Sequence, residues 1–146
     1  LYSDFSGLIS KEVSNLPNYN VAPTINIPVL VKKDANMYLE YYQWGYKPFM
    51  NFQSGIINIR SETMNEKKIF SDNLKKHRCI IVASGFYEWE KTENQKQPFY
   101  IKPKANKLML FAGIYAVVNK EYTCAIITMQ ANNVIGKIHD RMPVIL

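Results

Sequence analysis

The sequence predicts an α+β fold, a single domain of mainly antiparallel strands forming a bent, partly barrel-like sheet flanked by a few helices. Three observations carry that expectation. Short apolar runs separated by polar turns recur from Ile25 to Met129, the spacing of strands joined by hairpins. Two segments, one ending at Pro17 and one beginning at Thr63, carry helical periodicity instead. A length of 146 residues suits one domain, with enough interior to fold without disulfide or metal staples.

Each element has a local reason. Phe5, Leu8, Ile9, Val13 and Leu16 share one helical face after Ser3 or Asp4 as cap, and Pro17 stops the helix. Tyr19 to Thr24 reads as an extended loop, because a residue before proline avoids the helical region. Ile25 to Val31 is a strand that Pro28 confines to an edge or a bulge. Met37 to Trp44 is the next strand. Gly45 to Gly55 is a loop with an exposed-looking load of Tyr46, Phe49, Met50 and Phe52. Ile56 to Arg60 is a short strand.

A helix from Thr63 to Lys76 follows, with Thr63 and Glu66 as a capping box and Ile69, Phe70 and Leu74 as its buried stripe. Cys79 to Glu90 reads as one long strand, and Pro98 to Lys102 returns from a charged hairpin loop. Leu108–Val118 and Glu121–Met129 pair across Asn119-Lys120. A short helix from Ala131 to Ile138 leads into His139-Asp140-Arg141-Met142-Pro143.

Composition narrows the function classes. Hydrophobic residues are 47% and charged residues 21%, which excludes disordered and fibrous chains. No apolar run approaches the roughly 20 residues that cross a bilayer. Eighteen Lys and Arg against twelve Asp and Glu leave a charge of +6, which favours a polyanionic partner but is a weak pointer alone. Cys79 and Cys124 lie in strand-like runs and fit a reducing, cytoplasmic setting. Nothing has metal-ligand spacing, and no cofactor is expected. The start at Leu1 without Met and the apolar end at Leu146 predict that flanking residues are missing.

Five clusters could carry chemistry or binding. Asn58 and Arg60 share a strand face opposite Ile57 and Ile59, offering an amide and a phosphate-suited guanidinium. An isolated N-x-R is more commonly a solvated face. Glu88 is flanked by Tyr87 and Trp89, which could exclude water and raise its pKa for acid/base work; a rim glutamate beside core aromatics is the plainer reading. His139, Asp140 and Arg141 could set a proton shuttle beside a phosphate ligand. Lys75-Lys76-His77-Arg78 reads as a helix C-terminus complementing the dipole, with His77 on the surface. Phe49, Met50 and Phe52 are either a base-stacking wedge or a mini-core.

Six blocks occur in order: Asn20-Val21-Ala22-Pro23, Trp44-Gly45-Tyr46-x-Pro48, Ile57-Asn58-Ile59-Arg60-Ser61-Glu62-Thr63, Arg78-Cys79, Gly85-Phe86-Tyr87-Glu88-Trp89 and Ile138-His139-Asp140-Arg141-Met142-Pro143. The series resembles the SRAP family (SOS response-associated peptidase, the abasic-site processing proteins) over nearly the whole chain. The resemblance implies residues 1–146 are one SRAP-like domain lacking its N-terminal Cys and a C-terminal segment. It implies a protein that binds abasic sites in single-stranded DNA, particularly at junctions with duplex.

In that family an N-terminal cysteine attacks the ring-opened sugar. Its amine forms a Schiff base and its thiolate closes a thiazolidine, giving a covalent DNA–protein crosslink with lyase-like and autoproteolytic potential. Carried over, Asn58 orients the amine or sugar, Glu88 manages protons, and His139 protonates the sugar ring oxygen. Arg60 and Arg141 grip phosphates, Phe49 and Met50 form the wedge, and Asn20 contacts DNA. A monomer without membrane contact is expected, cytoplasmic, and nucleoid-associated in a bacterium. The competing reading is a single-stranded nucleic-acid binding module without covalent chemistry.

Overall fold

The computed structural model describes residues 18–91, 95–104 and 107–146, and the helix expected between Phe5 and Leu16 lies outside them. Nine strands, one α-helix and one 3₁₀ turn make up the described elements. The strands are β1 (Asn26–Lys33), β2 (Asn36–Trp44), β3 (Asn58–Arg60), β4 (Arg78–Ala83), β5 (Phe86–Lys91), β6 (Lys96–Ile101), β7 (Met109–Val118), β8 (Glu121–Gln130) and β9 (Arg141–Pro143); α1 is Lys68–Lys76. Seven strands form one mixed sheet and β5–β6 form a separate hairpin.

The main sheet runs β2-β1-β4-β7-β8-β3, with β9 also on β8. A parallel contact of Gln43 with Thr123 and Trp44 with Cys124 returns β2 to β8. The bonding therefore closes into a ring of β2, β1, β4, β7 and β8, as the expected bent sheet requires. Alternation along the strands gives this ring two apolar faces. Ile27, Val29, Val31, Tyr42, Cys79, Ile81, Phe111 and Cys124 come from all five ring strands and pack together on one face. Ile114, Ala116, Ala125 and Ile127 face the other way, against Tyr46, Ile59, Met64 and Phe70.

The β7–β8 hairpin turns at Asn119 and Lys120 as expected. Both have left-handed φ, 50° and 68°, the signature of a two-residue turn matched to strand twist.

Other elements depart from the sequence expectation for identifiable reasons. β1 is no edge strand, since it lies between β2 and β4; Pro28 sits just beyond the Val29 and Leu30 pairs to β4, so its missing N–H breaks no bond there. The helix starts at Lys68, not Thr63, and no side chain caps it. Ser61 to Glu66 is held in successive turns instead, because the Ser61 N–H is bound by Thr128 O at 2.9 Å and Met64 is drawn into the core. Phe70 is buried as expected, whereas Ile69 is exposed.

Tyr46 is not an exposed loop residue. Its ring is fully buried, and its hydroxyl donates to Ile69 O at 2.5 Å and accepts from Asn73 Nδ2 at 2.6 Å. His77 is likewise part-buried, its Nδ1 2.7 Å from Asn73 Oδ1 and its ring against Tyr115. The expected helix at Ala131–Ile138 shrinks to one 3₁₀ turn, Ile135–Lys137. Asn132 Oδ1 accepts the Val134 and Ile135 N–H groups at 3.0 Å, which starts that turn.

The long strand expected over Cys79–Glu90 breaks at Ser84-Gly85 into β4 and β5, which belong to different sheets. A Cβ on Gly85 would stand 2.5 Å from Ile101 O and 2.7 Å from the Tyr100 ring, so only glycine permits this crossing. The break lets the β5–β6 hairpin leave the sheet and carry Glu88 with it.

Candidate nucleic-acid interface

Register places most of the site on one sheet face. β3 runs parallel to β8 with Asn58 beside Ile126 and Arg60 beside Thr128. β9 runs antiparallel to the same C-terminal half of β8, with Arg141 beside Gln130. Residues in register share a face, so Asn58, Arg60, Thr128, Gln130 and Arg141 all project on one side. Asn58 and Arg60 are exposed, while Ile59 between them is buried on the opposite face. Ile57 just before them is pinned at its carbonyl by two donors, Trp44 Nε1 and the Ile126 N–H, each at 3.0 Å.

Arg141 is held on this face by a dense set of contacts. Its guanidinium donates to both carboxylate oxygens of Glu62 at 2.8 and 3.0 Å, and to Thr128 O at 2.8 Å. The Glu62 carboxyl is held down to about 2, first by the Arg141 hydrogen bonds and then by its own backbone N–H. A cavity of about 210 Å³ opens between Arg60, Glu62, Gln130, Asp140 and Arg141.

Glu88 faces the site from β5. Phe86, on the same strand face, packs edge-on against Phe111 of the ring at 5.9 Å, which fixes the side of the hairpin that Glu88 shares. Burial pushes the Glu88 carboxyl above the ordinary carboxylate value, opposed by the charge of His139 and a Trp89 backbone N–H, and reinforced by Asp140. Glu88 and His139 are thus electrostatic neighbours although 51 positions separate them in the chain.

His139 is one-third exposed. Its Nδ1 accepts the Arg141 backbone N–H at 3.0 Å, which puts the proton of the neutral ring on Nε2.

Three expected residues, Phe49, Met50 and Asn20, lie apart from this cluster. Phe49 and Met50 are more than half exposed and line a second cavity of about 310 Å³ with Lys47, Phe52 and Thr123. Thr123 and Thr128 are five residues apart on β8, about 17 Å at roughly 3.4 Å per residue. The aromatic loop therefore sits near the far end of β8 from the arginines. Asn20 is exposed in the loop that Thr24 ties to Trp44 O at 2.7 Å, at the end of β2.

No local sequence pattern assigns a role to Glu62, Thr128 or Trp44. β3 ends at Arg60 and Glu62 lies in the turns that follow, so strand alternation gives no signal for it; it reaches Arg141 from that turn. Cys79 and Cys124 are both buried, and burial pushes the first thiol well up and the second to about 12. Neither can serve as a thiolate nucleophile.

Known proteins resemble this chain in sequence and in fold. The model of the SOS response associated peptidase (SRAP) family matches residues 3–146. The abasic site processing protein YoqW of Bacillus subtilis (strain 168) is 39% identical over 164 aligned residues, covering 100% of this chain and 73% of that protein. HMCES of Xenopus tropicalis, also an abasic site processing protein, is 32% identical over 89% of this chain and 50% of its own length. A crystal structure of a Bacteroides thetaiotaomicron protein superposes with TM-score 0.75 at 28% identity, over 84% of this chain and 59% of that one. A Bordetella bronchiseptica protein at 19% identity shares the fold, with TM-score 0.78 over 99% of this chain and 78% of its own. With its family model matched almost end to end, the chain belongs to the SRAP family.

Proposed function

We propose that this protein processes abasic sites in DNA, capturing the lesion in single-stranded DNA as a thiazolidine crosslink to an N-terminal cysteine. The observation that carries the reading is one sheet face bearing Asn58, Arg60 and Arg141, with the His139 ring on the Arg141 amide and Glu88 within reach of its charge. The abasic-site names of relatives such as YoqW and HMCES support the substrate class.

The steps balance with these groups. As the sugar C1′–O4′ bond breaks, O4′ takes the proton of His139 Nε2–H. The C1′ hydroxyl gives up its proton to solvent, which restores Nε2–H, and the aldehyde carbon is exposed. Asn58 orients the cysteine amine, which adds to the aldehyde. Glu88, favoured in its protonated form by burial, protonates the departing hydroxyl as water and leaves a Schiff base. Its carboxylate then takes the thiol proton, sulfur adds to the imine carbon, and the proton passes to nitrogen. Aldehyde plus cysteine gives thiazolidine plus one water. The second attack is intramolecular, which supplies a high effective molarity. Arg60 binds a flanking phosphate.

A preference for single strands has its own support. Tyr87, Trp89 and Tyr100 are 45%, 49% and 43% exposed, and Tyr87 lies against Tyr100 at 4.9 Å on the outer face of the hairpin. Exposed aromatic faces stack unpaired bases. The same stripe also favours the competing reading, non-covalent single-strand binding.

Incubation of protein carrying an N-terminal cysteine with an abasic oligonucleotide, followed by a denaturing gel, separates the two. A heat-stable shifted band is expected. Folded protein that binds the oligonucleotide and yields no such band would leave only the non-covalent reading. Glu88→Ala should slow band formation while leaving affinity for an intact single strand nearly unchanged, and equal loss of both would make Glu88 structural.

A further inference from the structure

Arg141 works in two directions at once. Its side chain is bound by Glu62 and by Thr128 O, with Nη2 also 3.2 Å from Thr128 Oγ1 and Nε buried without a partner. Its backbone N–H meanwhile donates to His139 Nδ1 at 3.0 Å. The side chain, together with the β9–β8 ladder, anchors the residue whose amide selects the histidine tautomer.

The alternative partners of Nδ1 make this selection consequential. Asp140 Oδ1 and Arg141 O both lie 3.3 Å away, and both are acceptors that demand a proton on Nδ1. Only the Arg141 N–H calls for the opposite tautomer. The charged groups facing the ring are Asp140 on the same loop, Glu88 from β5 and Arg141 itself. If the Arg141 backbone shifts, the ring gains partners by moving its proton to Nδ1, and the Nε2 donor is lost.

We propose, on the reading that His139 donates from Nε2 to the lesion sugar, that Glu62 is a positioning residue. By clamping the Arg141 guanidinium against β8, it holds the Arg141 amide under His139 and sets the Nε2–H tautomer. Arg141 is then the strut between Glu62 and His139, and Arg60 lines the same cavity beside it.

Long-range ¹⁵N–¹H NMR of the imidazoles in the full-length protein tests this without any crosslinking. Wild type should show His139 protonated on Nε2 and His77 on Nδ1, since Asn73 Oδ1 is the partner of the latter. Glu62→Ala should move the His139 proton to Nδ1 or mix the two forms, leave His77 unchanged as the witness of an intact fold, and be reversed in Glu62→Asp. If Glu62→Ala disturbs His77, Glu62→Gln, which keeps the side-chain volume, carries the test. Retention of Nε2–H at His139 in a folded variant overturns the proposal.

A second arm measures crosslinking at saturating abasic DNA alongside binding of an intact strand. Glu62→Gln should slow crosslinking about tenfold with affinity changed less than about twofold. Tighter binding instead would make Glu62 a competitor for phosphate at Arg141 and overturn the positioning role. If wild type fails to crosslink, the abasic-capture reading falls, while the NMR arm still decides the role of Glu62.

Discussion

At the residue scale, the site depends on two opposed carboxyl environments. Glu88 is raised by burial, and Glu62 is lowered to about 2 by Arg141. A carboxyl depressed in the folded state adds stability that is fully present above its ordinary 4.5 and lost as pH falls toward 2. Glu62→Gln should therefore flatten the fall in urea midpoint between those two pH values. The difference should be modest and shrink at high salt, because the Glu62 side chain is 48% exposed. Identical pH slopes for variant and wild type would show that the ion pair does not hold in solution.

Legibility at this scale divides by distance. The alternation of Asn58 and Arg60 is a local property, so their shared face could be read directly from Ile57 to Arg60. The Glu62–Arg141 pair joins positions 79 apart, and local pattern carries no signal for such a partner.

At the element scale, the departures trace to tertiary contacts outcompeting local preference. The capping box at Thr63 and Glu66 was a sound local signal, yet Thr128 O and the burial of Met64 take that stretch for turns. The apolar run from Cys79 onward gave no sign of two sheets; the clue was Gly85, whose role appears only once Tyr100 and Ile101 lie beside it. Gly85→Ala should cost about 1–3 kcal/mol in denaturant unfolding and slow any chemistry that uses Glu88. An unchanged midpoint would mean the crossing has room that the geometry denies it.

Helix α1 offers a separate test. Tyr46→Phe removes the hydroxyl shared by Ile69 O and Asn73 Nδ2 and should destabilise by about 1–3 kcal/mol. A neutral result would place that hydroxyl in contact with water.

At the scale of the whole molecule, the mainly antiparallel sheet was legible because hairpins are local. Asn119-Lys120 sits between two apolar runs and turns as such sequences do. Closure of the ring was less so, since it rests on a parallel contact of only two residue pairs between β2 and β8. That closure matters for function. It brings Trp44 to the carbonyl of Ile57 and so steadies Asn58 beside β8, where β9 delivers His139 and Arg141 from the chain's other end.

If this assembly captures an abasic site as a covalent adduct, as proposed, an intact-mass measurement will register it. Protein with an N-terminal cysteine, mixed with an abasic single strand and denatured, should give one species equal to protein plus oligonucleotide less one water. Only the two separate masses, from protein shown to be folded and bound to the strand beforehand, would contradict it.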